Sequence, residues 1–198
     1  MKSRLLLILA LLSLPLGAQT PKLDPGALDA LKEKPVTTAP KFVPKTTGPI
    51  VEKSRQYTFT AKGTTKAARV ITMTDGTKTE APLVEVPLHF VKNSTQLADP
   101  QSKANLAVLA HHLKEMAATG GKVCIEGHAS VEGDTDANQK LSEARAAFIR
   151  TQLISTGVSE TLLAASVGRG SQDALTKNKN AGEALLAQDR RVLVVREQ

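Results

Sequence analysis

Residues 123–157 read VCIEGHASVEGDTDANQKLSEARAAFIRTQLISTG, and this stretch decides the fold. Val123–Gly127 is a short apolar run closed by glycine, which reads as a buried strand. From Asn138 the pattern changes. Leu141, Ala144, Phe148 and Ile149 recur at helical spacing and are expected to face inward, and Gly157 offers the stop. Between strand and helix lies GHASVEG, residues 127–133, where two glycines bracket a histidine, a serine and a glutamate.

The same alternation continues on both sides. Upstream, LVEVPLHF is a strand ending at Phe90. A helix follows over residues 99–120, with Asp99 as N-cap, Pro100 at the first helical position, Leu106, Leu109, Leu113 and Met116 on one face, and Gly120 past the end. Downstream, TLLAASVGRG supplies a turn and a third strand, and RRVLVVRE a terminal strand. The expected unit is α+β, a two-layer βαβαββ domain over residues 84–198 with its helices on one face of a mixed sheet.

Before this unit the chain is of two other kinds. Residues 55–83 alternate (QYTFTAK, ARVITMT) around Asp75-Gly76, a strong hairpin signal, and read as a small β extension. Residues 19–54 are rich in Pro, Lys and Thr without apolar periodicity. They read as a semi-extended tether with little packed core, in which GALDALKEK makes a helical turn or two. Residues 1–18 have a basic start, an apolar run too short to span a bilayer comfortably, and small residues at the end. This is a signal peptide, with the cut expected after Ala18 and an uncleaved anchor as the competing reading. No transmembrane segment is expected after cleavage, and no cysteine near the cut offers a lipid attachment site.

Composition excludes several functions. Aromatics are 3% of the 198 residues and tryptophan is absent, which suits neither a membrane barrel nor a single-strand nucleic-acid binder. The formal charge is +7; loss of Lys2 and Arg4 with the leader leaves +5. A basic exported chain favours anionic polymers, and charge alone does not choose among them. Cys124, the only cysteine, reads as a small buried core residue.

The catalytic and metal readings are weak. His111 and His112 point about 100° apart on a helix and read as partly exposed helix residues. His128 has no ligand partner at metal spacing. Ser130 lacks the Gly-x-Ser-x-Gly frame of a nucleophile elbow. GRGS at 168–171 lacks the lysine and spacing of a phosphate loop. No enzyme activity, catalytic residue, metal or cofactor is expected.

Four segments carry a family resemblance: VPLHFVKNSTQL, IEGHASVEGDTDANQKLSEARA, VGRG and DRRVLV. Together they resemble the C-terminal domain of the OmpA family, over roughly residues 84–198. The resemblance implies a non-catalytic module that grips the diaminopimelate head group of the peptidoglycan stem peptide, in the periplasm or cell envelope, with association with the outer membrane as a further expectation. It implies that Arg145 holds the head-group carboxylate and that Asn93 lines the same pocket. Asn138, which opens the helix motif, is counted with the ligand-binding residues. The family's aspartate falls on Ser130, fifteen residues before Arg145. Here the chain departs from the pattern, and Glu132, two residues on, is the candidate stand-in. Val91 is a second departure, where many relatives are acidic. Arg190 and Arg191 are expected to serve the sheet edge rather than the site. The alternative is a domain that keeps the fold, has lost wall binding and serves as a periplasmic scaffold. An envelope protein partner through the N-terminal region is compatible with either.

Overall fold

The computed structural model describes residues 20–38, 53–61, 64–72, 77–118 and 120–197. The leader, residues 39–52 of the expected tether and the Asp75-Gly76 turn lie outside them. A 3-10 helix at Pro25–Lys32 comes first. It is followed by β1 (Val36–Thr38), β2 (Lys53–Ala61), β3 (Thr64–Thr72), β4 (Lys78–Val86), α1 (Pro100–Ala117), β5 (Val123–Gly127), α2 (Thr135–Ser155), β6 (Leu163–Gly168), α3 (Glu183–Asp189) and β7 (Val192–Arg196).

The strands form one mixed sheet in the order β2-β3-β4-β7-β5-β6, with β1 beside β4. Only β5 and β6 run parallel. The chain inserts β7 between β4 and β5, antiparallel to both, so the C-terminal strand lies at the centre. That explains why VLVVR is buried at every position. Sheet residues alternate between two apolar clusters. Val84, Val86, Val123, Ile125, Val192 and Val194 meet the helices, while Leu83, Cys124, Leu193 and Val195 form a smaller cluster on the other face. Cys124 is buried, as expected.

α1 starts where its signals lie. Asp99 accepts a hydrogen bond from the Ser102 N–H at 2.7 Å, Pro100 occupies the first turn, and Leu106, Leu109, Leu113 and Met116 are buried. The inward face of α2 differs from expectation. Ser142, Arg145, Ala146, Ile149 and Leu153 are buried, whereas Ala144 is exposed. Two of the inward residues are polar, so a search for apolar period misplaces the stripe.

Further differences lie in β4, before the terminal strand and in the N-terminal segment. β4 is one strand from Lys78 to Val86, paired with β3 on one side and β7 on the other, so the boundary expected at 83/84 falls inside it. It ends before Phe90, which makes only an isolated bridge to Leu97. A short helix, α3, precedes the terminal strand. Residues 20–32, expected in an extended tether, are packed instead. Leu23, Leu28 and Leu31 are buried in the main core beside α1. His112, expected to be partly exposed, is buried and hydrogen-bonded to the Leu28 backbone.

Two glycines set the depth of α2. A Cβ on Gly127 would stand 2.3 Å from the Ser142 carbonyl oxygen, and one on Gly168 would stand 2.4 Å from the Glu143 nitrogen. Their lack of a side chain lets α2 lie directly on the ends of β5 and β6, which brings Arg145 to the loops above the sheet.

Candidate functional site

The loop after β5 is held from three sides. His128 N–H donates to the Arg191 carbonyl at 3.0 Å, and Ala129 N–H to the Gly170 carbonyl at 2.8 Å. Asn138, in the first turns of α2, reaches back. Its amide donates to the Ser130 carbonyl at 3.1 Å and to the Glu132 carbonyl at 2.6 Å. Asp134 caps α2 by accepting from the Ala137 N–H at 2.9 Å. A second loop, after β4, faces this one. It closes through Ser94 N–H to the Val91 carbonyl at 3.1 Å, with Asn93 in the left-handed region at φ 53°. Asparagine tolerates that conformation better than most residues.

Between the loops lies a cleft of about 450 Å³. Its walls include Asn93, Ser130, Glu132, Asn138 and Arg145, all five residues singled out in the sequence. Their roles in shaping it differ. Asn138 spends its amide hydrogens on the loop backbone, so it is a brace. Arg145 is 1% exposed. Its Nε donates to the Ser94 carbonyl at 3.0 Å, its Nη2 to the Val91 carbonyl at 3.4 Å, and its guanidinium lies 4.8 Å from the centre of the Phe90 ring. It therefore fastens the 91–94 loop to α2. Nη1 is buried and has no hydrogen-bond partner among the described residues. Burial, helped by the charge of Arg190, pulls the Arg145 pKa down to about 10. The group stays cationic at neutral pH, but its charge is poorly compensated.

Glu132 bends back over the loop. Ser130 Oγ donates to Glu132 Oε2 at 3.3 Å. Arg190 Nη1 lies 3.6 Å from the same oxygen, and Lys92 Nζ lies 3.5 Å from Oε1. Ser130 and Glu132 thus form one polar unit, in which the serine orients the carboxylate.

Lys92 and Arg190 also line the cleft, and sequence reasoning passed over both. Lys92 is next to Asn93 and was within reach of that reading. From the sequence Arg190 reads as a sheet-edge residue, because nothing in a single sequence pairs it with Glu132, 58 positions earlier. It sits just after α3, where Glu183 from the first turn of that helix ion-pairs with its Nη2. Arg191 is turned away: it donates to the Asp173 carbonyl at 3.1 Å and lies 3.8 Å from Glu85.

A cleft with an uncompensated arginine at its base and a carboxylate across from it fits a small zwitterionic group better than an apolar one. The OmpA family model matches residues 89–185. Residues 89–185 form an OmpA-family domain. That span contains both cleft loops, α1, α2 and the three polar residues Ser130, Glu132 and Arg145. Solved structures similar to the chain include the peptidoglycan-associated lipoprotein of Burkholderia pseudomallei. It is 27% identical over 56% of this chain and 88% of that one, with a TM-score of 0.48. The periplasmic domain of Helicobacter pylori MotB (residues 78–256) is 14% identical over 71% and 87%, TM-score 0.49. The cell wall anchor of the type VI secretion system from Pseudomonas aeruginosa is 23% identical over 59% and 79%, TM-score 0.44. Comparison with curated proteins gives no match. Among the described residues, no helix is long and apolar enough to cross a membrane, and no group of three or more His, Cys, Asp or Glu is placed to hold a metal ion.

Proposed function

We propose that the cleft binds peptidoglycan by the diaminopimelate head group of its stem peptide. The observation that carries this reading is Arg145, a buried guanidinium at the cleft with no carboxylate partner among the described residues and an unpartnered Nη1. A head group with one carboxylate and one ammonium complements it. The carboxylate takes Nη1 and the remaining Nη2 hydrogen of Arg145, and the ammonium takes the Glu132 carboxylate, oriented by Ser130. Asn93 and Asn138 hold the two walls. The binding is non-catalytic: Ser130 gives its hydrogen to Glu132, and His128 lies wholly buried beside Glu126, 3.9 Å away. On this reading the protein works in the periplasm, on the cell wall.

Sedimentation with purified sacculi tests it. Arg145→Ala should lower binding about a hundredfold, the usual consequence of truncating a buried charge-paired contact. Arg145→Lys, which keeps the charge and loses the fork, should also weaken it. Undiminished co-sedimentation of both variants, with unchanged circular dichroism, rejects the assignment. The competing scaffold reading draws on Ser130, which replaces the family's aspartate, and is favoured if the wild-type protein stays in the supernatant.

A further inference from the structure

The carboxylate that would receive a ligand ammonium already has two cations beside it, and they are held very differently. Arg190 is nearly buried and is tied on its other side to Glu183. Lys92 has a side chain that is 63% exposed, and Glu132 is its only ion-pair partner among the described residues. Its Nζ stands 3.5 Å from Glu132 Oε1, on the wall of the cleft and across from Arg145. A primary ammonium beside this oxygen is the chemical group the ligand would bring there. An incoming ammonium must share Glu132 with both cations or displace one, and only the lysine has a free, flexible stem on which to leave.

We propose that Lys92 is an internal competitor for the ammonium site: its ε-ammonium caps Glu132 in the free protein and swings out to solvent when a ligand ammonium arrives. This inference rests on the wall-peptide reading above and adds a gate to it. Arg190 remains in place as a positioning residue, keeping Oε2 turned into the cleft. The lysine thereby screens Glu132 from inorganic cations and makes full binding depend on a ligand that also satisfies Arg145.

The experiment is calorimetric titration of the full chain and of Lys92→Met with two probes. One is a stem tripeptide ending in diaminopimelate; the other is the same peptide with its head-group amine acetylated. Removing an exposed competing ion pair should tighten the amine-bearing peptide by about two- to fivefold. The acetylated peptide should bind weakly to both proteins with no gain in the variant. Weaker or unchanged binding of the amine-bearing peptide by Lys92→Met overturns the gate and leaves the wall-peptide reading standing. An equal gain for both peptides also overturns it, because the lysine would then be excluding ligand by bulk. No binding of either peptide to either protein removes the wall-peptide reading and the gate together.

Discussion

Two clusters of buried polar atoms in this domain are built on opposite terms. At the N-terminal clasp, where residues 20–32 cross α1, Asn105 is wholly buried and uses its whole amide. Its oxygen accepts from Leu23 N–H and Gln101 Nε2, each at 2.9 Å, and its nitrogen donates to the Pro21 and Pro87 carbonyls, each at 2.8 Å. Thr20 completes the seam, its Oγ1 2.6 Å from both His89 Nδ1 and Asp99 Oδ2. At the cleft, Arg145 is as deeply placed and Arg190 nearly so, yet the Nη1 atoms of both lack hydrogen-bond partners among the described residues. The Asn105 network is satisfied and fixes a structure, although His112 Nε2, elsewhere in the clasp, has no hydrogen-bond partner among the described residues. Unmet donors beside a cleft hold free energy that a ligand can release.

The sharpest way to break the comparison is to remove Asn105. Asn105→Ala leaves Leu23 N–H buried without a partner and takes the amide donor away from the part-buried Pro21 and Pro87 carbonyls. At about 1–3 kcal/mol for each unmet group, partly relieved by water, the loss of stability should be about 4 kcal/mol in urea unfolding. Sacculus binding per folded molecule should not change, because among the described residues the Asn105 and Thr20 hydrogen bonds reach none of the residues that line the cleft. A loss below about 1 kcal/mol would mean that the clasp is peripheral after all, and that polar satisfaction does not mark the structural region.

These two regions were not equally legible. α1 announced itself through the Asp99-Pro100 start and four apolar residues on one face. The clasp did not, because its three buried leucines sit among prolines and lysines, and a 3-10 helix of eight residues makes too short a pattern to stand out. Its key partner, Asn105, is a polar residue on the buried face of α1, which apolar periodicity discounts. The same blindness misplaced the inner stripe of α2, where Ser142 and Arg145 point inward. At the cleft, Asn93, Ser130, Asn138 and Arg145 come from the family resemblance rather than from any pattern in the chain, and Glu132 from its place two residues after Ser130. Lys92 and Arg190 were missed because their meaning lies in a shared partner, Glu132, that only folding brings near.

A smaller effect tests whether the cleft's carboxylate has moved along the loop. Ser130 Oγ donates to Glu132, so Ser130→Asp would set two carboxylates at hydrogen-bond distance and push one toward protonation. Restoring the family's aspartate alone should therefore bring no gain in affinity for the stem tripeptide. Glu132→Gln should cost about 1 kcal/mol, the difference between a charged and a neutral acceptor. The double variant should recover most of that loss, since it returns the single charge to position 130. Calorimetry that found Ser130→Asp tighter and Glu132→Gln neutral would place the ammonium on residue 130 and leave Glu132 to the surface.

The smallest effect concerns pH and again separates the two regions. In the clasp, burial pushes the His112 pKa down, and Lys32 adds to this; Asp29, Glu115 and the Leu28 backbone oppose it without reversing it. A histidine with a lowered folded pKa favours the neutral form. Its contribution to stability is full above the unfolded value of about 6.5 and is lost as pH falls through the folded value. Asp99 moves elsewhere on the scale. Burial raises it, but hydrogen bonds from Thr20 and Ser102 outweigh that and hold it low, so its contribution persists until pH drops below the ordinary carboxylate range. Between pH 7 and pH 5 the clasp should therefore loosen through His112. His128, buried under the cleft loop, is also lowered by burial against the pull of Glu126, so the cleft weakens in the same window by a separate route. Hydrogen exchange resolves the two. Amides of residues 20–32, corrected for intrinsic rates, should exchange faster at pH 5 than at pH 7, and His112→Gln should flatten that response while leaving the response of residues 127–133 intact. If His112→Gln left the clasp response unchanged, the histidine would not be what the low pH acts on, and the seam at Thr20 and Asp99 would be the next place to look.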